Sequence, residues 1–170
     1  MIGPVGGGNA IIIDPGKMTV PLLRTIEDNG YQPKCVLITH AHPAHIGGLK
    51  TILKIYDLEV FARAPSIGDH TTTLVGDGDS VSCDGIAIET ILIGGHSFDS
   101  VVFRIHDALF TGDALSAGHF GLAPNAYSRA LMIQTIRERI FSLHGEIFVY
   151  PGHGPPSTIE IERQTNPENA

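Results

Sequence analysis

The first 63 residues alternate between short apolar runs and longer stretches with helical spacing. The apolar runs of strand length are residues 10–14, 34–39 and 58–63. The run KCVLIT is almost continuously apolar, which is typical of a strand covered on both faces. Residues 18–30 and 45–56 have helical spacing, with Pro21 suited to a first helical turn and Gly30 to a helix end. The pattern predicts strand, helix, strand, helix, strand.

After residue 63 the apolar runs become shorter and pair around turn residues. Residues 80–93 form two runs around a central Asp-Gly, which is a hairpin signal, and residues 100–113 form two runs around a central His-Asp. Residues 126–145 read as an amphipathic helix ended by a glycine, and residues 146–155 as a last strand and loop. We therefore predict one α/β domain over residues 1–170, with helices covering the sheets.

Composition narrows the class of protein. Apolar residues make up 42% of the 170 residues and charged residues 17%, which is typical of a globular chain with a sizeable core. The net charge of −7, with scattered basic residues, argues against a nucleic-acid partner. The N-terminus lacks a signal-peptide pattern, and the apolar runs are too short to span a membrane. The predicted location is cytoplasmic, without a membrane partner.

The two cysteines, Cys35 and Cys83, are far apart and lack the spacing of metal ligands. Cys35 falls inside an apolar run, so we interpret it as a small buried side chain. No disulfide is predicted from the sequence.

The segment THAHPAHIGGL, residues 39–49, carries three histidines within six positions. His40 and His42 follow a predicted strand. In extended backbone, residues two apart point the same way, so both rings can reach one metal ion. His45 begins the next predicted helix and points elsewhere, as a ligand of a second ion does. The cluster alone is also compatible with a metal-free polar turn.

Three more side chains of metal-ligand type follow other predicted strands. His96 lies in IGGHSFDS, Asp113 in LFTGDA and His153 in VYPGHGP. Proteins of the α/β class gather their sites on loops of this kind, and catalytic zinc sites are commonly assembled from separate loops. The sequence therefore predicts that these loops converge on a metal centre.

Together these motifs resemble the metallo-β-lactamase superfamily and, within it, the hydroxyacylglutathione hydrolase (glyoxalase II)-like branch. The similar segments, in the family's order, are IIIDPG, THAHPAHIGGL, GGHSFDS, LFTGDAL, YPGHGPPST and the tail STIEIERQTNP. The resemblance implies an α/β fold of the αββα type, a four-layer sandwich with two sheets face to face and helices outside. It also leads us to expect shortened N-terminal strands and no C-terminal glutathione-binding helical domain.

The resemblance implies a role for each ligand position. The first-metal ligands are His40, His42 and His96, the bridging carboxylate is Asp113, and the second-metal ligands are His45 and His153. Asp14, in IIIDPG, is similar to a buried acid that supports the ligands without binding the metal. An aspartate bridge, where some β-lactamases have cysteine, points away from antibiotic hydrolysis of that subclass.

Ala44 departs from the family pattern H-x-H-x-D-H, whose aspartate ligates the second metal. The second metal then keeps His45, His153 and a share of Asp113. We therefore expect one tightly bound zinc and a second zinc that is weak or absent, with iron as the alternative metal. Alanine is the best helix former, so the replacement spares the fold.

The leading hypothesis is a metal-dependent hydrolase that cleaves a small-molecule thioester or ester by metal-bound hydroxide, with Asp113 as the catalytic carboxylate. One alternative is an oxidoreductase similar to the persulfide dioxygenases of this superfamily, in which His40, His96 and Asp113 hold a single iron. Another alternative, favoured by Ala44, is a catalytically degenerate metal-binding module.

Three further residues are candidates for substrate binding. His119 follows Asp113 closely in the sequence and is a candidate to line the substrate mouth. Tyr127 and Arg129, at the start of the predicted helix 126–145, are candidates to contact an anionic substrate. A capped, solvent-facing helix start is the alternative interpretation of both residues.

Overall fold

Helices and strands alternate in the first half of the chain, and strands dominate the second. The computed structural model describes residues 1–166, so Pro167 of the tail motif lies outside the described residues. The helices are α1 (Val20–Asp28), α2 (Pro43–Ile46), α3 (Leu49–Ile52), α4 (Ala126–Arg139) and α5 (Ile159–Thr165). The strands are β1 (Gly8–Ile13), β2 (Tyr31–Leu37), β3 (Glu59–Ala62), β4 (Ser66–Ile67), β5 (His70–Thr71), β6 (Thr73–Leu74), β7 (Ser80–Cys83), β8 (Ile86–Leu92), β9 (Val101–Ile105), β10 (Ala108–Gly112), β11 (Leu115–Ser116), β12 (His119–Phe120), β13 (Phe148–Pro151) and β14 (Ser157–Thr158).

The longer strands form two sheets. The first sheet has the order β1-β2-β3-β6, and its pairings are parallel. The second sheet has the order β14-β13-β10-β9-β8-β7; the pairing of β10 with β13 is parallel and the others are antiparallel. In this arrangement β8, β10 and β13 run in the same direction. Their carboxyl ends, like those of β1 and β2, carry the loops that hold the candidate ligands.

Apolar clusters separate four layers. The middle cluster lies between the two sheets, and one outer cluster packs α1 and α3 against the first sheet. The other outer cluster packs α4 and α5 against the second sheet. Cys35 and Leu37 of β2 face the middle cluster, whereas Val36 and Ile38 face the first outer cluster. The predicted αββα sandwich is confirmed, and so is the prediction that the second strand is covered on both faces.

The predicted hairpins and the first predicted helix are also confirmed. β7 and β8 pair around Asp84 and Gly85, whose φ angles of +49° and +85° suit a tight hairpin turn. β9 and β10 pair around a turn in which His106 has φ +51°. Helix α1 is capped by the preceding residue, Thr19, whose hydroxyl accepts a hydrogen bond from the Leu22 N–H (3.3 Å).

The single helix predicted over residues 45–56 is wrong, because the chain forms α2 and α3 with Gly47 and Gly48 between them. The Gly48 N–H donates to the Pro15 carbonyl oxygen (2.7 Å). A Cβ on Gly47 would stand only 2.6 Å from the Gly16 carbonyl oxygen. The close approach of the loop after β1 therefore interrupts the helix.

Helix α4 ends at Arg139, six residues before the predicted end at Gly145. The N–H groups of Ile140 and Phe141 both donate to the Ile136 carbonyl oxygen, which breaks the regular helical pattern. Arg163 of α5 donates from Nε to the Phe141 carbonyl oxygen (2.6 Å) and thereby binds the chain after the helix. The two-residue strands and α5 were not predicted, since elements of this length show no measurable periodicity.

Cys35 of β2 and Cys83 of β7 form a disulfide, with Cα atoms 6.3 Å apart, so the expectation of an unpaired buried Cys35 is wrong. The two residues are 48 positions apart in the sequence but face each other across the middle cluster. The bond therefore links the first sheet to the second. Within residues 1–166, none of the helices has the length and apolar character needed to cross a bilayer.

Breaking the disulfide between Cys35 and Cys83 is expected to lower the free energy of unfolding by about 2–4 kcal/mol, because the cross-link restricts the unfolded chain. Urea unfolding with and without a reductant measures the difference. The double variant C35A/C83A serves as the control and should not respond to the reductant. An unchanged midpoint, after thiol alkylation has shown full reduction, would contradict the prediction.

Candidate metal centre

The structure brings all of the predicted ligand residues together at one edge of the two sheets. Asp14 follows β1, His40 and His42 follow β2, His45 lies in α2, His96 follows β8, Asp113 follows β10 and His153 follows β13. Beside them, the Val101 N–H at the start of β9 donates to the Thr39 carbonyl oxygen (2.9 Å). This hydrogen bond joins the two sheets next to the cluster.

His40, His42 and His96 form a compact trio. His96 Nε2 lies 3.3 Å from His40 Nε2 and 3.2 Å from His42 Nδ1. Nitrogen ligands about 2.0–2.1 Å from a tetrahedral zinc are about 3.3 Å from each other. The three rings therefore already have the spacing of ligands that share one ion.

Hydrogen bonds on the other ring nitrogens fix the orientation of two of the three rings. His96 Nδ1 donates to the Leu122 carbonyl oxygen (2.8 Å), which leaves Nε2 as the atom with the lone pair. His40 Nδ1 lies 3.1 Å from the Thr39 hydroxyl, which itself donates to Asp14 Oδ2 (2.6 Å). Because the hydroxyl proton is used in the bond to Asp14, the hydroxyl oxygen must accept the proton of His40 Nδ1. His40 Nε2 therefore also keeps its lone pair.

Asp113 lies between the trio and a second group of ligands. Its Oδ2 is 4.0 Å from His40 Nε2, and its Oδ1 is 3.3 Å from His45 Nε2 and 2.8 Å from His153 Nδ1. A Cβ on Gly152 would stand 2.5 Å from Asp113 Oδ1, so glycine is required for this close approach. The carboxylate thus presents one oxygen to each group, as a bridging ligand does.

Asp14 supports the ligands from beneath. Its Oδ1 accepts the Thr39 N–H (2.7 Å), and its Oδ2 lies 2.8 Å from His45 Nδ1. His45 therefore directs Nε2 towards Asp113. This arrangement agrees with the supporting role that the resemblance implied for Asp14.

Asp99 has a comparable position that the sequence analysis missed. Its side chain is buried, and its Oδ2 accepts the N–H of Ala41 (2.9 Å), the residue between His40 and His42. Its Oδ1 accepts the hydroxyl of Ser97 (2.7 Å), which follows His96. One carboxylate therefore fastens both loops of the trio. The sequence feature that could have indicated this role is the acid Asp99 itself, which lies close to the candidate ligand His96 in GGHSFDS.

Burial and neighbouring charges shift the pKa of three residues in the cluster. Burial, assisted by His45 and His96, lowers the pKa of His40 to about 4. Burial alone lowers the pKa of His45 as well, but the carboxylates of Asp113 and Asp14 outweigh it and raise this pKa to about 9. Burial raises the pKa of Asp113, but His45 and His153 outweigh it and hold this pKa well below its usual range.

The donor set fits divalent metal ions, because imidazole nitrogen and carboxylate oxygen are ligands of zinc and of iron. His45 Nε2 is buried and has no aligned hydrogen-bond partner among the described residues, despite its distance of 3.3 Å from Asp113. A bound ion would satisfy that atom. Ala44 is exposed in the first turn of α2 and offers no ligand atom.

The candidate substrate residues lie outside this cluster. His119 is exposed on the hairpin of β11 and β12, and its Nδ1 lies 3.4 Å from the Phe120 carbonyl oxygen. Tyr127 is exposed in the first turn of α4. Arg129 donates to the Gly121 carbonyl oxygen (3.3 Å). Their role in substrate binding stays a prediction.

The chain matches the metallo-beta-lactamase superfamily over residues 1–153. A hydroxyacylglutathione hydrolase of Erwinia tasmaniensis is 38% identical over 113 residues, which are 65% of this chain and 45% of that protein. The chain thus spans less than half the length of this curated relative.

Solved structures have the same fold. The B3 metallo-beta-lactamase BLEG-1 has a TM-score of 0.83 and 25% identity, with 95% of this chain and 88% of that chain covered. TTHA1623, solved in a di-iron-bound form, has a TM-score of 0.75 and 27% identity, with 92% of this chain and 87% of that chain covered. The fold that these proteins share with this chain is the αββα sandwich.

Replacing Asp99 should weaken metal binding by the trio. In Asp99→Asn the amide can accept only one of the two hydrogen bonds, so the loops of His40 and His96 lose part of their support. We expect zinc affinity to fall about 10–100-fold, as is usual when a residue that supports metal ligands is changed. Competition with a chromogenic chelator measures the affinity. Asp69→Asn, at an exposed acid, is the matched control; equal affinity of both variants would refute the role of Asp99.

The metal-free protein should be most stable near pH 6.5. The raised pKa of His45 gives stability that is present below 6.5 and lost as the pH rises through about 9. The lowered pKa of His40 gives stability that is present above 6.5 and lost as the pH falls through about 4. Each loss should be on the order of 1–3 kcal/mol in urea titrations with a chelator present. The variant His45→Gln should lose the alkaline decline, and a flat profile in the unaltered protein would contradict the assignment.

Proposed function

Because this chain belongs to the metallo-beta-lactamase superfamily, we propose that it is a metal-dependent hydrolase of a small-molecule thioester or ester. The observation that carries the proposal is the trio of His40, His42 and His96 beside Asp113. The three nitrogen atoms have the spacing of ligands on one ion, and Asp113 faces both the trio and His45. A carboxylate between two such groups suits a hydrolytic metal centre.

His40, His42 and His96 would hold a first ion, and His45 and His153 a second, with Asp113 shared. When bound, such an ion lowers the pKa of water to about 7 and polarises a carbonyl group. We propose zinc as the resident metal. Iron is the alternative, which the di-iron-bound form of TTHA1623 supports.

The chain's own residues orient the reactants and carry charge. The lowered pKa of Asp113 keeps its carboxylate ionised near neutral pH, so it can accept a hydrogen bond from water. In the proposed reaction the C–S or C–O bond of the substrate breaks and a C–O bond forms to water oxygen. One proton of the water goes to the leaving thiol or alcohol. The other is released to solvent when the product carboxylic acid ionises.

A thioester substrate is proposed from the curated relative, whose name gives its substrate as a hydroxyacylglutathione. The match extends over 45% of that protein, so the identity of the thiol is a separate question. The proposed partner is a small molecule, and the absence of a nucleic-acid or membrane partner stays a prediction. The cytoplasmic location also stays a prediction, and the disulfide weighs against it, because disulfides persist mainly in oxidising compartments.

A single-iron oxidoreductase is the second candidate function. His40, His96 and Asp113 lie together, with Nε2 of His40 3.3 Å from Nε2 of His96 and 4.0 Å from Asp113 Oδ2. Two histidines and a carboxylate are the ligand set of many non-haem iron oxygenases. Anaerobic purification with iron quantitation, followed by oxygen uptake on a persulfide, distinguishes this candidate from a hydrolase.

Steady-state hydrolysis of a panel of thioesters and esters by the zinc-loaded protein tests the proposal. We expect turnover by the unaltered protein and a kcat/KM at least about tenfold higher for Ala44→Asp, which restores a ligand. Asp113→Asn should abolish turnover in both backgrounds. Metal-loaded protein without turnover in either form would overturn the hydrolase assignment and favour a degenerate metal-binding module.

We expect one zinc to bind tightly, through His40, His42, His96 and Asp113, and a second to bind weakly. Catalytic zinc sites typically have three protein ligands plus water, whereas the second site has two histidines and a shared carboxylate. Titration at limiting zinc measures the stoichiometry. The tight site should disappear in His96→Ala and persist in His153→Ala, and two equivalent tight sites would disprove the expectation.

A further inference from the structure

Four large apolar residues lie in the loop that carries His96 or in segments that approach it, and their side chains are exposed. The exposed fractions are 92% for Phe98, 83% for Leu122, 79% for Tyr127 and 41% for Leu131. We call these four residues the apolar rim. Isolated exposed apolar residues are ordinary on a protein surface, but several around one candidate ligand mark a binding surface.

Backbone contacts and chain proximity place the residues of the apolar rim next to the histidine trio. The backbone of Leu122 accepts the hydrogen bond of His96 Nδ1 (2.8 Å), and Phe98 is two residues after His96. Leu131 packs against Gly94, where a Cβ would stand 3.3 Å from Leu131 Cδ2. The first turns of α4, which carry Tyr127, approach Gly95 closely.

The opposite side of the cluster is polar. Asp113, His45 and His153 lie there, with the carboxylate of Asp14 beneath His45. A substrate whose scissile carbonyl group lies at the trio therefore has the apolar rim on one side and polar groups on the other. Binding sites commonly combine an apolar wall with a few convergent polar groups in this way.

We propose that the apolar rim binds an alkyl or aryl group of the substrate and makes the protein selective for thioesters or esters with an apolar substituent. This inference rests on the proposed hydrolase function. The substituent is either the acyl chain or the leaving thiol, and both present the same chemistry to the rim. The selectivity arises because contact with the rim removes apolar surface of substrate and protein from water.

Two substrate series test the proposal with zinc-loaded protein. One series lengthens the acyl chain from acetyl to hexanoyl on a fixed neutral thiol, and the other lengthens an alkyl thiol on a fixed acetyl group. A fully buried methylene is worth about 0.8 kcal/mol, or about fourfold, and the rim covers a chain on one side only. We therefore expect kcat/KM to rise about tenfold across one of the two series.

The variants Phe98→Ser and Leu122→Ser should each reduce this ratio of longest to shortest substrate at least about threefold. Ile161→Ser, at a side chain that is also exposed (48%) but lies on α5, is the matched control and should keep the ratio. A ratio that is flat in both series, or that responds equally to all three variants, would overturn the proposal.

Binding of non-hydrolysable thioether analogues, measured by calorimetry, separates the proposal from the proposed function. Chain-length-dependent binding that weakens in the rim variants supports the rim even when no substrate turns over. Turnover without any dependence of binding on chain length supports the hydrolase and refutes the rim. A rim variant that changes the oligomeric state but not chain-length preference would identify a self-association surface and also refute the proposal.

Discussion

The carboxylate of Asp14 is the group on which the geometry of the metal centre depends. It accepts the N–H and hydroxyl of Thr39 and also holds His45 Nδ1. A largely buried carboxylate is costly unless hydrogen bonds satisfy it, so these contacts keep the ends of β1 and β2 and the start of α2 in one arrangement. Asp14 adopts φ +46°, a conformation uncommon outside glycine, which the surrounding contacts maintain.

The same principle applies on the other side of the trio, where Asp99 fastens the loops of His40 and His96 through Ala41 and Ser97. Because the ends of both loops are fixed, the ring nitrogens can have the mutual spacing of metal ligands before an ion binds. Such preorganisation keeps the three rings of the trio together.

Ala44 occupies a position at which the side chain contributes little to the fold. Its side chain is exposed and belongs to none of the three apolar clusters, so an exchange between alanine and an acid at this position changes little packing. His45, one residue later, is buried and bound to Asp14. The fold therefore holds His45 in place, whereas it places little constraint on the side chain at position 44.

The sequence by itself determined the hairpins and the loops that carry the candidate ligands, because turn residues and strand ends are properties of neighbouring residues. The four-layer arrangement was implied only by the resemblance to the superfamily. The tertiary structure alone decided the contacts between distant segments. Asp99 lies 58 positions from Ala41, and Cys35 lies 48 positions from Cys83. The break at Gly47 likewise depends on a loop more than 25 residues earlier. Such contacts follow from how the two sheets stack, and local patterns do not encode the stacking.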